Sequence, residues 1–170
     1  MEHGFSALIL LDQGLYSSAF SLLRPQYESL VRGMWLRYAA SAIDVDKLTQ
    51  PLNGVSTQQA ANRCLSISEM LDRLESSAEA PTQLIQQLKE FKDVAGKALN
   101  DFTHGGFHAL SRSSSGYPVQ LVYDVIRNSN AVAAISAQLA SILSGYAENM
   151  APVRRMHEDF ADCLPILTQT

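Results

Sequence analysis

The stretch from Leu15 to Ser41 constrains this chain more than any other. At about 100° per residue, Phe20, Leu23, Tyr27, Leu30, Val31, Met34, Trp35 and Tyr38 fall on one apolar stripe. So long a stripe specifies a helix with one face in a core. Arg24 and Glu28 stand four residues apart at its edge, flanked by Phe20, Val31 and Trp35, which makes them an ion pair half inside apolar surroundings. Two readings follow: the pair fixes helix register, or it belongs to a polar site. Pro25 has no amide hydrogen and clashes with the carbonyl four residues back, so a kink is expected near residues 21–25. Arg24 lies beside that irregularity and is placed to satisfy a released carbonyl.

The rest of the chain keeps to helical spacing. Phe5, Leu8, Ile9 and Leu11 give a short first helix that Gly14 is suited to end in a left-handed cap. Asp12, Gly14, Tyr16 and Ala19 then form DxGxYxxA, in which the alanine lets two helices approach and the tyrosine fills the corner. Residues 42–56, with Pro51, Asn53 and Gly54, read as a connection. Ser56 or Thr57 is expected to cap a third helix with Ala60, Cys64, Ile67, Leu71 and Leu74 on its apolar face. Pro81 opens a fourth, with Leu84, Leu88, Phe91, Ala95, Leu99 and Phe102. Glycines at both ends and four serines make residues 105–116 a mobile loop. A fifth helix runs from Pro118 to about Tyr146, and Pro152 starts a last short one with Val153, Met156, Phe160 and Leu164.

No repeat recurs and no strand-like alternation is sustained. The fold expected is all-α, an up-and-down bundle of about five to six helices forming a single helical domain over residues 1–170, a usual domain size. Apolar residues make up 46% and charged residues 18%; so charge-poor a surface favours a homodimer. A net charge of −4 supplies no general field for nucleic acid. Cys64 and Cys163 are far apart in helical patterns and read as core residues of a reducing compartment. With no signal peptide and no run of roughly 18 to 20 apolar residues, the chain is expected in the cytoplasm and off the membrane.

A second polar feature is NDFTHGG, residues 100–106. Asn100 and His104 share a face of the fourth helix away from its apolar stripe, where an amide and an imidazole can act together. The alternative is a histidine that meets the negative end of a helix dipole, with two glycines ending the helix. Arg32, Arg37 and His157 read as surface charges. His104 and His108 form a metal pair only if the helix passes through both glycines, so no metal and no cofactor are expected. Nucleophile elbows and phosphate loops are absent.

The hairpin DQGLYSSAFSLLRPQYESLVRGMWL, with an acidic residue four after an arginine, and the later NDFTHGG together resemble the HEPN superfamily of helical proteins. The resemblance spans about residues 5 to 110. It implies a helical bundle, often dimeric, of bacterial toxin–antitoxin or abortive-infection type, with an antitoxin-like protein partner; active members are metal-independent RNases. Their catalytic signature is an arginine followed about four to six residues later by histidine. This chain departs from it: no arginine precedes His3, His104, His108 or His157 by that spacing. What carries over is a charged cleft formed by Arg24, Glu28, Asn100 and His104. Two functions follow: a noncatalytic interaction module, or an RNase or nucleotide-acting toxin. In the second, His104 is acid or base, Arg24 or Arg112 steadies phosphate charge and Glu28 orients the arginine.

Overall fold

The computed structural model describes residues 1–49 and 65–165. The protein is all-α, with helix packed on helix as in a bundle, and no strand occurs among the described residues. The helices are α1 (Glu2–Asp12), α2 (Tyr16–Ser21), α3 (Leu23–Tyr38), α4 (Ala42–Thr49), α5 (Ile67–Glu75), α6 (Thr82–His104), α7 (Phe107–Ser115), α8 (Val119–Ser144) and α9 (Met150–Asp159). Short 3-10 turns at Ala147–Asn149 and Ala161–Cys163 flank α9. The described residues thus hold more helices than the five or six expected, because short helices occupy stretches that read as connections. Contacts divide the chain into two compact units, Met1–Leu30 with Asp93–Thr170, and Val31–Lys92.

In the first unit α1 packs on α2 and α8, α7 on α2, and α9 on α8. Gly14 ends α1 as expected: at φ +71° it turns the chain so that its own N–H reaches the Leu11 carbonyl and that of Leu15 reaches Leu10. Ala19 is fully buried in α2, as DxGxYxxA requires. The large apolar residues of α1 behave otherwise. Gly4 and Ala7 are buried, whereas Phe5, Leu8 and Ile9 stand in solvent. The expected kink is present as a turn at Leu22 between α2 and α3, which puts Pro25 in the first turn of α3, where a missing amide costs least. Phe20, Leu23, Tyr27 and Leu30 of the predicted stripe are all buried.

The stripe continues in the second unit with Val31, Met34 and Trp35, all buried; α3 stops at Tyr38, three residues short of Ser41. Residues 42–49 correct the expected connection, because they form α4. Its start was legible as Ser-x-x-Asp: the Asp44 N–H donates to Ser41 Oγ at 3.2 Å and the Ser41 N–H to Asp44 Oδ2 at 3.2 Å. The Ser41 hydroxyl bond holds the Asp44 carboxyl below its ordinary range.

A second box opens α5. Ser66 accepts from the Glu69 N–H, and Glu69 accepts from the Ser66 N–H at 2.8 Å. The helix carrying Ile67, Leu71 and Leu74 is therefore capped at Ser66; Pro51, Asn53, Gly54, Ser56, Thr57, Ala60 and Cys64 lie outside the described residues. We expect Ser66→Ala to cost about 1 kcal/mol in urea denaturation, with Ser68→Ala, a position outside the box, as the neutral control.

The stretch 105–116 is likewise corrected from loop to helix. It holds α7, whose serines donate to carbonyls one turn back, as Ser113 does to Ala109 at 2.9 Å. Serine satisfied in this way tolerates a helix that its composition argues against. Two other helices start where expected: α6 begins just after Pro81, and α8 follows Pro118 and ends in a left-handed cap at Gly145; α9 starts at Met150, before Pro152, and stops at Asp159, short of Phe160 and Leu164. No helix among the described residues is long and apolar enough to cross a membrane.

Candidate functional site

Arg24 occupies the first turn of α3 and Glu28 the next, so both project from one edge of the helix. Arg24 Nε lies 2.8 Å from Glu28 Oε1, with the two side chains 31% and 28% exposed. At that exposure solvent screens much of the attraction, and the pair contributes to geometry more than to stability. A second edge of the guanidinium, Nη1, donates to Oδ1 of Asn100, on the last two turns of α6. Three of the four predicted residues therefore meet, and the amide oxygen and the carboxylate together occupy the cation.

His104 is the fourth. It lies one turn beyond Asn100 and is exposed, and among the described residues it makes no hydrogen bond or ion pair with the other three. Arg112, read as part of a mobile loop, stands instead on α7.

Tyr27, the residue before Glu28, is 4% exposed. Burial, and then the charges of Asp93 and Glu28, push its phenol well above the ordinary tyrosine value. The folded state therefore keeps the Tyr27 proton where the unfolded chain releases it. Stability from this group is present in full below about pH 10 and is lost as pH rises beyond it. Urea denaturation across that range should show a declining stability whose slope is shallower in Tyr27→Phe.

The carbonyl freed by Pro25 is that of Ser21, and Arg24 does not take it, contrary to expectation. Thr103 Oγ1 lies 3.4 Å from it and 2.8 Å from the Leu99 carbonyl, so one hydroxyl proton is shared between the two. Arginine has the longer reach, but its donors are drawn to the charged and amide oxygens beside them.

Most of NDFTHGG is explained by the way α6 ends. Phe102 meets Phe20 edge to face, with centroids 5.1 Å apart. Gly105, at φ +67°, breaks the helix. Asp101 then reaches over the break: its carboxylate accepts from the His108 N–H at 3.3 Å, which caps α7 from a distance. A Cβ on Gly106 would fall 2.8 Å from the Asp101 carboxyl carbon, so that capping arrangement requires glycine. Because the break falls between them, His104 and His108 belong to different helices. His104 is the last residue of α6, at the negative end of the helix dipole, as the second reading of this histidine expects.

A buried polar cluster went unread in the sequence. Gln26 and Ser129 are each 3% exposed. The Gln26 amide donates to the Ser129 carbonyl at 2.9 Å and its oxygen accepts from the Ser129 hydroxyl at 2.8 Å. The signal was position: Gln26 lies three residues after Leu23 and four before Leu30, inside the apolar stripe. Cys163 is a second correction. It is exposed, in the turn after α9, where its N–H donates to the Phe160 carbonyl at 3.0 Å and its own carbonyl accepts from Asn130 Nδ2 at 3.1 Å.

Within the second unit an open groove is lined by Tyr38, Ala39, Ala40, Asp72, Arg73, Ser76 and Ser77. Its charges are already engaged: Asp72 by Lys89 at 3.1 Å and Arg73 by Asp44 at 3.4 Å, while Ser77 donates to the Tyr38 carbonyl at 2.7 Å. Among the described residues no three of His, Cys, Asp and Glu gather as a ligand set for a metal ion.

No curated protein and no solved structure matches this chain. A family model described as a family of unknown function, DUF6988, matches residues 1–166, and the chain belongs to that family.

Proposed function

We propose that this protein is a noncatalytic helical interaction module that works as a homodimer in the cytoplasm. Its setting is the bacterial toxin–antitoxin or phage-defence type implied by the HEPN resemblance, with an antitoxin-like protein as partner. The observation that carries this reading is where the large apolar side chains stand. Phe5, Phe107, Leu110, Val119 and Tyr123 are each more than half exposed, whereas the polar cluster around Arg24 is closed on itself. Large apolar side chains left exposed on α1, α7 and α8 offer surface for protein contact. Sedimentation at micromolar concentration should show a dimer. A strict monomer that also recovers no partner from bacterial extract would sink the reading.

A second reading, a HEPN-type RNase, draws support from Asn100 and His104 being one turn apart on α6 with Arg24 bonded to Asn100. For phosphate to be held, a phosphate oxygen must replace the Asn100 oxygen on the guanidinium, with Glu28 keeping Arg24 oriented and His104 moving the proton. Purified protein would then cut RNA, and His104→Ala would slow cutting by about 100-fold or more. Intact RNA after prolonged incubation with the wild-type protein eliminates this reading.

A further inference from the structure

We propose that Ser115, in the last turn of α7, is a phosphorylation site: a serine kinase transfers to it the terminal phosphate of a nucleoside triphosphate, and the phosphate releases the end of α7 from helix. The inference goes beyond the interaction-module reading and stands independently of it.

A kinase that selects its serine by charge needs a cation at a fixed distance from the acceptor, which an acidic pocket of the enzyme can hold. Three serines follow an arginine by three residues: Ser66 after Arg63, Ser76 after Arg73 and Ser115 after Arg112. The structure separates them. Ser66 belongs to the capping box of α5, and its hydroxyl lies 2.7 Å from the Glu69 carboxylate, which a phosphate there would face. Arg63 lies outside the described residues. Ser76 follows Glu75, its arginine is held 3.4 Å from Asp44, and α5 is anchored by Met70, Leu71 and Leu74, each fully buried. Arg112 is different: among the described residues it makes no ion pair. Its guanidinium is left for another molecule to take, and Ser115 is exposed beside it, one turn on along the same face of α7.

The helix is also built to open. Ala109 is its one buried residue, and glycine stands at each end, Gly106 before it and Gly116 at φ +82° after it. An element with so little buried surface opens locally at small cost, which presents Ser115 in the extended form a kinase cleft accepts. In the transfer, Ser115 Oγ attacks the terminal phosphorus; the Oγ–P bond forms as the bond from that phosphorus to its bridging oxygen breaks, the nucleoside diphosphate leaves, and the hydroxyl proton passes to the base of the kinase. The product cannot keep the helix end as it was. Ser115 Oγ donates to the Ser111 carbonyl at 2.7 Å, and the ester oxygen has no proton to donate. The phosphate brings a charge of about −1.5 to −2 to the negative end of the helix dipole. Pairing with Arg112 in solvent offsets only part of this, and one buried alanine supplies little to offset the rest.

The test uses the full chain, magnesium ATP and a purified serine kinase of the kind that requires an arginine three residues before its acceptor. Mass spectrometry should place the phosphate on Ser115, with Ser66 and Ser76 modified at least about 10-fold more slowly because their helix stays closed. Ser115→Ala should abolish the fast incorporation and Ser114→Ala should leave it intact. In the phosphorylated chain, the amides of residues 112–116 should exchange with deuterium at least about 10-fold faster than in the unmodified chain, with α8 unchanged. The protein recovered from the cells that make it should carry phosphate on Ser115. No phosphate on Ser115, or equal rates at Ser66, Ser76 and Ser115, overturns the site. A phosphate on Ser115 that leaves exchange in α7 unaltered overturns the release of the helix. A chain that stays unmodified at Ser115 through every growth phase of those cells overturns the proposal that a kinase acts on it there.

Discussion

Phe20→Ala should destabilise the protein by about 3–5 kcal/mol, as read from urea or thermal denaturation. Phe20 is 1% exposed and meets two rings edge to face, Phe102 at 5.1 Å and Tyr117 at 5.4 Å between centroids. Tyr117 in turn lies 5.1 Å from Tyr16. Removing the central ring leaves a cavity bounded by rigid aromatic groups from three separate parts of the chain, and such walls cannot collapse into it. Because domains of this size are stable by only about 5–15 kcal/mol, the variant is expected at the edge of folding at 37 °C. Phe20→Leu, which fills most of the volume, should recover more than half of the loss. A cost below about 1 kcal/mol for the alanine would show that the aromatic cluster is not a core.

The second large effect is expected at Gln26. Gln26→Leu removes both hydrogen bonds to Ser129 and leaves the Ser129 hydroxyl buried without its acceptor, for a cost of about 2–3 kcal/mol. Ser129→Ala, which strands the Gln26 oxygen, should cost about 1–3 kcal/mol on the same grounds. The double variant should be more stable than the sum of the two implies, by about 1–2 kcal/mol, because the exchange of both partners for apolar groups leaves nothing unsatisfied. Additive losses would mean that the two residues act independently. The same pair underlies the orientation of α1, whose backbone approaches it at Gly4.

The all-α class was legible because helical periodicity persists through most of the described chain, and one period suffices to separate helix from strand. The long stripe of α2 and α3, the break before Pro25 and the left-handed turn at Gly14 follow from local sterics: each depends on backbone geometry within a few residues. The start of α4 was legible in principle too, in Ser41 and Asp44, but Pro51 and Gly54 outweighed it. Helix α7 was harder to read. Its four serines disfavour helix by propensity, and what permits it is a carboxylate, Asp101, that caps it from across a break.

The pairing of Arg24 with Glu28 needed only a spacing of four. That Asn100 completes the cluster, through a bond between residues 76 apart in sequence, depends on how α3 and α6 are brought together, which no local pattern encodes. The face of α1 shows the difference most sharply. Sequence determined that residues 2–12 are helical and that Phe5, Leu8 and Ile9 share one side. The tertiary structure decided that this side faces outward. A buried amide with two hydrogen bonds tolerates no side chain at Gly4, and unsatisfied polar groups cost as much as the apolar burial that rotating the helix would gain.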